Sequence, residues 1–244
     1  MSTAPADAVY MVIPTYNEAA NLERQVRGAL AQDQRLRVVV VDDASPDGTG
    51  ELAQGLARQT GRVDVVHRPG KLGLGTAYIA GFKRALELGA QFIGTMDADG
   101  SHDPRSLPDF IAAAQRADVV VGSRYLRGVS VINWPMQRIL LSWFANRYVR
   151  FLTGLPLTDC TSGYRLYRRR ALQAIDLDTI RSRGYAFLVE IAFRAYREHC
   201  RLAEVPIVFY ERQRGRSKMS RGVILEAVLM PWRLAFTRRR AGSS

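Results

Sequence analysis

Four consecutive valines, Val38 to Val41, run directly into two aspartates, Asp42 and Asp43. A β-branched run without polar alternation fits a strand buried on both faces, and such strands belong to parallel sheets covered by crossover helices. The rest of the first half repeats the pattern. Short apolar runs predict strands at Val9 to Pro14, Arg37 to Asp42, Val63 to His67, Gln91 to Asp97 and Asp118 to Gly122. Helical patterns fill the gaps, at Ala19 to Gln32, Gly48 to Gln59, Thr76 to Leu88 and Pro104 to Ala117. The expected class is α/β, a mostly parallel central sheet flanked by helices. From Val129 onward the chain shifts to amphipathic segments rich in tryptophan and arginine, then a strand at Ala203 to Tyr210 and a last helical stretch.

At 244 residues, 47% apolar and 24% charged, the chain excludes a disordered, fibrous or disulfide-framed protein. Lysine and arginine number 35 against 23 acids, a net charge of +12. That excess predicts a polyanionic partner: nucleic acid, an anionic membrane or a phosphorylated substrate. No uncharged run approaches the ~20 apolar residues that cross a bilayer, and the first residues lack the basic and apolar regions of a signal peptide. The expectation is a cytoplasmic protein. Cys160 and Cys200 stand far apart without metal-ligand spacing, so neither a disulfide frame nor a structural zinc site is expected.

Ligands of open α/β sheets bind beyond the carboxyl ends of the strands, and here those ends are polar. Asp97 and Asp99 follow the run Phe92 to Met96 and, two apart on extended chain, point to one side. Two hard carboxylates so placed can share a divalent cation that also takes phosphate oxygens; a solvated acidic turn is the bland alternative. Asp42 and Asp43 close a buried strand, where they repel unless something neutralises them, and a nucleoside can accept that role. Asp47 reads better as a helix cap before Gly48 and Thr49. Gly73-Leu-Gly75 lacks the third glycine of a dinucleotide fingerprint, and Gly70-Lys71 lacks the rest of a P-loop.

Arg124, Arg138, Arg212 and Lys218 lie near glycine or serine, a setting that suits phosphate binding, although any one of them also reads as a solvated charge. The stretch from Asn133 to Pro156 carries Met136, Leu140, Trp143, Phe144, Tyr148, Phe151, Leu152 and Leu155 at helical spacing, with Arg138 and Ser142 four apart on another face. The last segment sets Val223, Ile224, Ala227, Val228, Trp232 and Phe236 beside Arg233 and Arg238 to Arg240. A basic, tryptophan-bearing helix can lie in a headgroup layer, or pack on the sheet or on a second subunit.

Taken in order, Pro14-Thr-Tyr-Asn-Glu18, Val41 to Thr49, Lys71 to Tyr78, Asp97-Ala-Asp-Gly-Ser-His102, Gly122-Ser-Arg-Tyr125, Thr161-Ser-Gly-Tyr-Arg165 and Gly215-Arg-Ser-Lys218 resemble the dolichol/polyprenol-phosphate mannosyltransferases. These are inverting enzymes of glycosyltransferase family 2 with a GT-A fold. Asn133-Trp-Pro and Ser217-Lys-Met-Ser220 make the chain most similar to the actinomycete-type polyprenol-phosphate mannose synthases. The resemblance implies one domain over residues 1–240, with a nucleotide-binding half at 9–125 and an acceptor- and membrane-facing half at 126–240. It also implies that Pro14, Tyr16, Glu18, Val41 and Asp43 hold the guanosine of GDP-mannose. Asp97, Ala98 and Asp99 would line the diphosphate and its Mg²⁺ or Mn²⁺, with Asp97 and Asp99 as metal ligands and Ser101 standing where some relatives carry glutamine. Arg124, Arg212 and Lys218 would face phosphates, and Asp99 and these three are the expected catalytic groups. Many relatives append transmembrane helices; here the amphipathic segments, or a membrane-protein partner, would make contact with the inner face of the cell membrane.

The implied reaction moves mannose from GDP to a polyprenyl phosphate by one in-line displacement. The acceptor phosphate, with a second pKa of about 6, is already largely ionised near neutrality and needs no general base. It needs cationic clamping instead, for which Arg138, Arg212 and Lys218 are the candidates, and Arg138 and Ser142 are counted with the donor-binding set. A UDP-glucose donor or a hydroxyl acceptor is the nearest rival, the latter with Glu190 as base. A basic nucleic-acid-binding module is the rival from another class, and acidic strand ends argue against it.

Overall fold

The computed structural model describes residues 7–180, 182, 184–211, 226 and 228–236. In chain order the elements are β1 (Val9–Thr15), α1 (Ala19–Leu30), β2 (Leu36–Asp42), α2 (Thr49–Thr60), β3 (Val63–His67), α3 (Leu74–Glu87), β4 (Phe92–Thr95), α4 (Leu107–Ala113), β5 (Val119–Ser123), β6 (Val131–Ile132), α5 (Met136–Thr153), β7 (Arg165–Arg168), α6 (Arg169–Ala174), α7 (Gly184–Arg197), β8 (Leu202–Pro206) and β9 (Phe209–Tyr210). Residues 228–236 are helical. Seven strands form one sheet in the order β3-β2-β1-β4-β7-β5-β8, and β6 pairs with β9 in a small second sheet. Every pairing in the large sheet is parallel except those of β7 with β4 and β5.

The valine run behaves as its composition requires. Val38 and Val40 point into a core with Leu22 and Val26 of α1 and Leu56 of α2, while Val39 and Val41 point into the opposite core with Tyr78 and Phe82 of α3. Burying each valine contributes ~1.5–3 kcal/mol, so β2 is anchored from both sides. The predicted helix from Pro104 to Ala117 is shorter: Pro104–Ser106 is a 3-10 turn capped by the Asp103 carboxylate, and α4 begins at Leu107. The predicted strand from Ala203 to Tyr210 is two, β8 pairing with β5 and β9 with β6. Its break falls after Pro206, which has no N–H to continue a ladder.

Sequence reading missed two strands, the short β6 and β7. In β7, Arg-Leu-Tyr-Arg looks like surface, yet Arg165 is fully buried, and its guanidinium donates to the carbonyls of Ser162, Leu188 and Cys160. Those three acceptors satisfy a cation that would otherwise keep the segment out of the sheet.

α3 crosses β1 so closely that Gly81 has no room for a side chain: an added Cβ would lie 2.2 Å from Val12 Cγ1 and 3.1 Å from Val41 Cγ2. Alanine favours a helix over glycine by ~1 kcal/mol, but overpacking costs ~1–3 kcal/mol. Gly81→Ala is therefore expected to lose stability by about 1 kcal/mol in urea unfolding, whereas Gly55→Ala in α2, which meets nothing within 4 Å, is expected to gain. Equal midpoints for the two variants would contradict the close approach.

Candidate active site

The chain leaves β1 toward β2 on one side and reaches β4 on the other, so the strand order reverses between β1 and β4. That reversal opens a crevice beyond their carboxyl ends, and it is where Tyr16 to Glu18 and Asp97 to Asp99 emerge. Two residues there hold left-handed backbone, Asn17 at φ 62° and Ala44 at φ 55°. Ala44 carries a Cβ that disfavours that conformation and has no polar side chain to offset it, a strain on the order of 1–3 kcal/mol that the surrounding hydrogen bonds must hold in place. Asn17 N donates to Ser45 Oγ, Glu18 N to Thr49 Oγ1 and Ala19 N to Asp47 Oδ2 at 3.1 Å. Asp47 also accepts from Thr49 N at 3.1 Å, so it takes up the first backbone N–H of both α1 and α2, although the N-cap of α2 is Gly48 rather than the expected Asp47. Those donors hold its carboxyl below the usual range although desolvation works against them.

The expected nucleoside residues converge at this edge: half-buried Pro14 and Glu18, buried Val41 and Asp43, and exposed Tyr16 with Lys71 Nζ 4.5 Å above its ring. Asp42 is already satisfied, accepting from Thr15 Oγ1, Ser45 N and Ser45 Oγ. Asp43 is satisfied only in part: a backbone hydrogen bond with Leu72 acts on its carboxyl, but its Oδ1, 3.2 Å from Arg68 Nη1, makes no hydrogen bond, and neither does that Nη1 among the described residues; both side chains are buried. Burial pushes the Asp43 carboxyl up, against the pull of Arg68. Arg68, which sequence reading overlooked, is braced by a 2.9 Å bond from Nη2 to Thr76 Oγ1.

Beyond β4, Asp97 is partly exposed and Asp99 is 3% exposed. Asp97 Oδ1 accepts from Tyr78 Oη at 3.0 Å, and its backbone N–H donates to His102 Nδ1 at 3.0 Å. Asp99 Oδ1 accepts from Ser101 N at 3.0 Å, and Gly100 at φ 80° turns the chain between them. Ser101 Oγ is buried without a partner among the described residues. No group of three or more acidic, histidine or cysteine side chains is arranged around a metal position among those residues. Two carboxylates with the remaining positions left to water and phosphate oxygens fit Mg²⁺ or Mn²⁺, which are held by one or two carboxylates plus substrate phosphates.

The expected phosphate-facing arginines stand differently. Arg124 is buried and forks onto Asp159, with Nε–Oδ2 at 2.6 Å and Nη2–Oδ1 at 2.7 Å, and Nη2 also donates to Thr161 Oγ1. Its charge is balanced inside the protein by Asp159, because a buried cation needs a counter-ion. Arg138 lies 3.9 Å over the Trp134 ring and 2.9 Å from Glu211. Ser142, one turn further along α5, is half-buried and its carbonyl accepts from Asn146. Arg212 and Lys218 lie outside the described residues. Glu190 is engaged by Arg194 through Oε1 and by Ser182 through Oε2. It lines a cavity of about 820 Å³ between α7 and residues 226–234, none of whose walls comes from the strand ends.

The glycosyl transferase family 2 profile matches residues 10–176. An undecaprenyl-phosphate mannosyltransferase of Micrococcus luteus is 48% identical over 237 residues, covering 96% of each chain. A polyprenol monophosphomannose synthase of Mycolicibacterium smegmatis is 46% identical over 226 residues, 92% of this chain and 85% of the relative. Among solved structures, glucosyl-3-phosphoglycerate synthase from Mycobacterium tuberculosis, in complex with Mn²⁺, UDP and glucosyl-3-phosphoglycerate, superposes with a TM-score of 0.63 at 16% identity, over 97% of this chain and 82% of that one.

Desolvation raises the Asp159 carboxyl, but the Arg124 pair and its hydrogen bonds win, and the net shift is downward. A depressed carboxyl stabilises the fold above its unfolded value near 3.9 and loses that contribution as pH falls through the lower folded value. Asp159→Asn is expected to cost ~3–5 kcal/mol near neutrality by removing the counter-charge of a buried guanidinium, and its deficit against the native chain should shrink in unfolding curves taken below about pH 4. A pH-independent deficit would contradict the pairing.

Proposed function

This chain belongs to glycosyl transferase family 2 and has the GT-A fold, and from that footing we propose that it transfers mannose from GDP-mannose to the phosphate of a polyprenyl phosphate. The observation that carries the reading is the pair Asp97 and Asp99 at the reversal point of the sheet, in a chain that matches two polyprenyl-phosphate mannosyltransferases along almost its whole length.

On this reading the donor's nucleoside lies across the ends of β1 and β2. The unsatisfied Asp43 Oδ1 and Arg68 Nη1 meet the polar edge of base or ribose, and Tyr16 offers an aromatic face. Asp97 and Asp99 would hold Mg²⁺ or Mn²⁺, which supplies Lewis-acid neutralisation of the departing diphosphate without a proton. The acceptor phosphate monoester is largely dianionic near neutral pH, so the chain need not supply a base. Glu190, the one candidate for that role, has both oxygens occupied, which favours a phosphate over a hydroxyl acceptor. What the chain must do is hold two anions in contact distance. Arg138, positioned on Trp134, with Arg212 and Lys218 from outside the described residues, is assigned that task. Arg124 acts through Asp159 and Thr161 to fix the loop beside β7.

A lipid acceptor requires access to a membrane surface. No described helix is long and apolar enough to span one. α5, however, exposes Leu140, Leu141, Phe144 and Phe151, the last at 87%, and Tyr148 Oη ties it to Val228 O of the last helical stretch, which exposes Val228, Leu229, Trp232 and Phe236. Val223, Ile224, Ala227 and Arg238 to Arg240 lie outside the described residues. This apolar surface, set among Arg147, Arg150 and Arg233, suits burial in the headgroup layer of an anionic membrane.

Radiolabelled GDP-mannose and UDP-glucose, offered separately with polyprenyl phosphate, are expected to put label in the organic phase from GDP-mannose alone and to lose it with chelator. Asp99→Ala should lower transfer by at least ~10²-fold with an unchanged melting temperature; near-native turnover in that variant would remove the carboxylate-pair reading. Phe144→Asp with Phe151→Asp should weaken co-sedimentation with anionic vesicles by at least ~10²-fold, since two lost apolar side chains at ~1.5–3 kcal/mol each sum to no less than ~3 kcal/mol, while transfer to a short-chain soluble acceptor is retained.

A further inference from the structure

The phenol of Tyr78 is fully enclosed at the edge of the crevice. Its ring packs with Phe82 and Phe187, at centroid distances of 6.1 and 5.9 Å, and no part of it reaches solvent. Its hydroxyl emerges against Asp97 Oδ1 at 3.0 Å. On the other side, His102 is buried between the ring of Tyr164, 4.8 Å away, and the edge of Phe209. Because His102 Nδ1 accepts from Asp97 N, its proton resides on Nε2, which lies 4.0 Å from Asp97 Oδ2. Asp97 is thus held through its backbone and approached on both carboxylate oxygens by groups that cannot move without repacking a core.

We propose that Tyr78 is a positioning residue for the donor site: its hydroxyl fixes the rotamer of Asp97 so that the carboxylate presents its remaining lone pairs to the divalent ion. The proposal rests on the reading that Asp97 holds that ion. A carboxylate on a loop after a strand has freedom about two torsions, and a hydrogen bond from a rigidly packed phenol removes it before ligand arrives. Groups that hold metal ligands in this way typically alter metal affinity by ~10–100-fold when removed. A phenol that merely needed an acceptor for burial would leave metal affinity untouched when replaced by phenylalanine, which keeps the ring and its packing.

The test is Mn²⁺ titration calorimetry on the full chain saturated with GDP, with thermal unfolding of each variant as a control. Tyr78→Phe is expected to weaken Mn²⁺ roughly 10–100-fold while its melting temperature stays near the native value. Asp97→Asn should weaken Mn²⁺ at least as much, and Tyr78→Phe added to it should change nothing further. Native Mn²⁺ affinity in Tyr78→Phe, with Asp97→Asn impaired, would overturn the positioning role alone. Native affinity in Asp97→Asn would overturn the underlying assignment of the ion. Additive losses in the double variant would show that Tyr78 acts on the site by another route and would also overturn the proposal.

Discussion

A carboxylate at the end of a buried strand must find donors or a cation, and the carboxyl edge of this sheet is organised by how each one does so. Asp42 is satisfied by two hydroxyls and a backbone N–H, Asp159 by the Arg124 fork, and Asp47 by the first turns of two helices. Such satisfied groups lock the loops that cross the edge. Low local dielectric makes each bond stronger than in water and makes any missing partner costly.

The unsatisfied groups are therefore the informative ones. Asp43 Oδ1 and Arg68 Nη1 attract at 3.2 Å without forming a hydrogen bond, and Ser101 Oγ is buried without a partner among the described residues. Asp97 and Asp99 bring two carboxyl groups into one crevice, Asp97 beside the Tyr78 hydroxyl and Asp99 beside the Ser101 N–H. Capped loops around buried polar atoms such as Asp43 Oδ1 and Ser101 Oγ suit a ligand that brings polar edges of its own. A nucleoside diphosphate with a divalent ion has them. The strained Ala44 beside Asp43 belongs to the same economy, since backbone held off its preferred region is found where a scaffold fixes a binding loop.

The second half of the chain answers a different physical demand. α5 begins next to the aromatic and arginine cluster of Trp134, Arg138 and Phe209, and then turns apolar side chains outward along its length. On the proposed reading, a water-soluble donor and an acceptor with an insoluble tail must meet at one point, and a helix that starts beside Arg138 and ends on an exposed apolar surface suits that meeting; no described helix is long and apolar enough to span a membrane.

Much of this was legible in the residues. The valine run fixed the sheet class, the polar strand ends marked the crevice, and the ordered motifs pointed to the family that the profile and relatives then established. Periodicity and turn chemistry are local properties, so a single chain displays them. The antiparallel insertion of β7 was not legible, because Arg165 enters the sheet only by finding three carbonyls from distant segments. Nor was the pairing of Arg124 with Asp159, thirty-five positions away, or the meeting of Tyr78 with Asp97, nineteen away. Sequence decided which groups carry charge and which segments must be buried; tertiary structure alone decided which charges cancel and which stay open, because that depends on distances between residues the chain brings together only when folded.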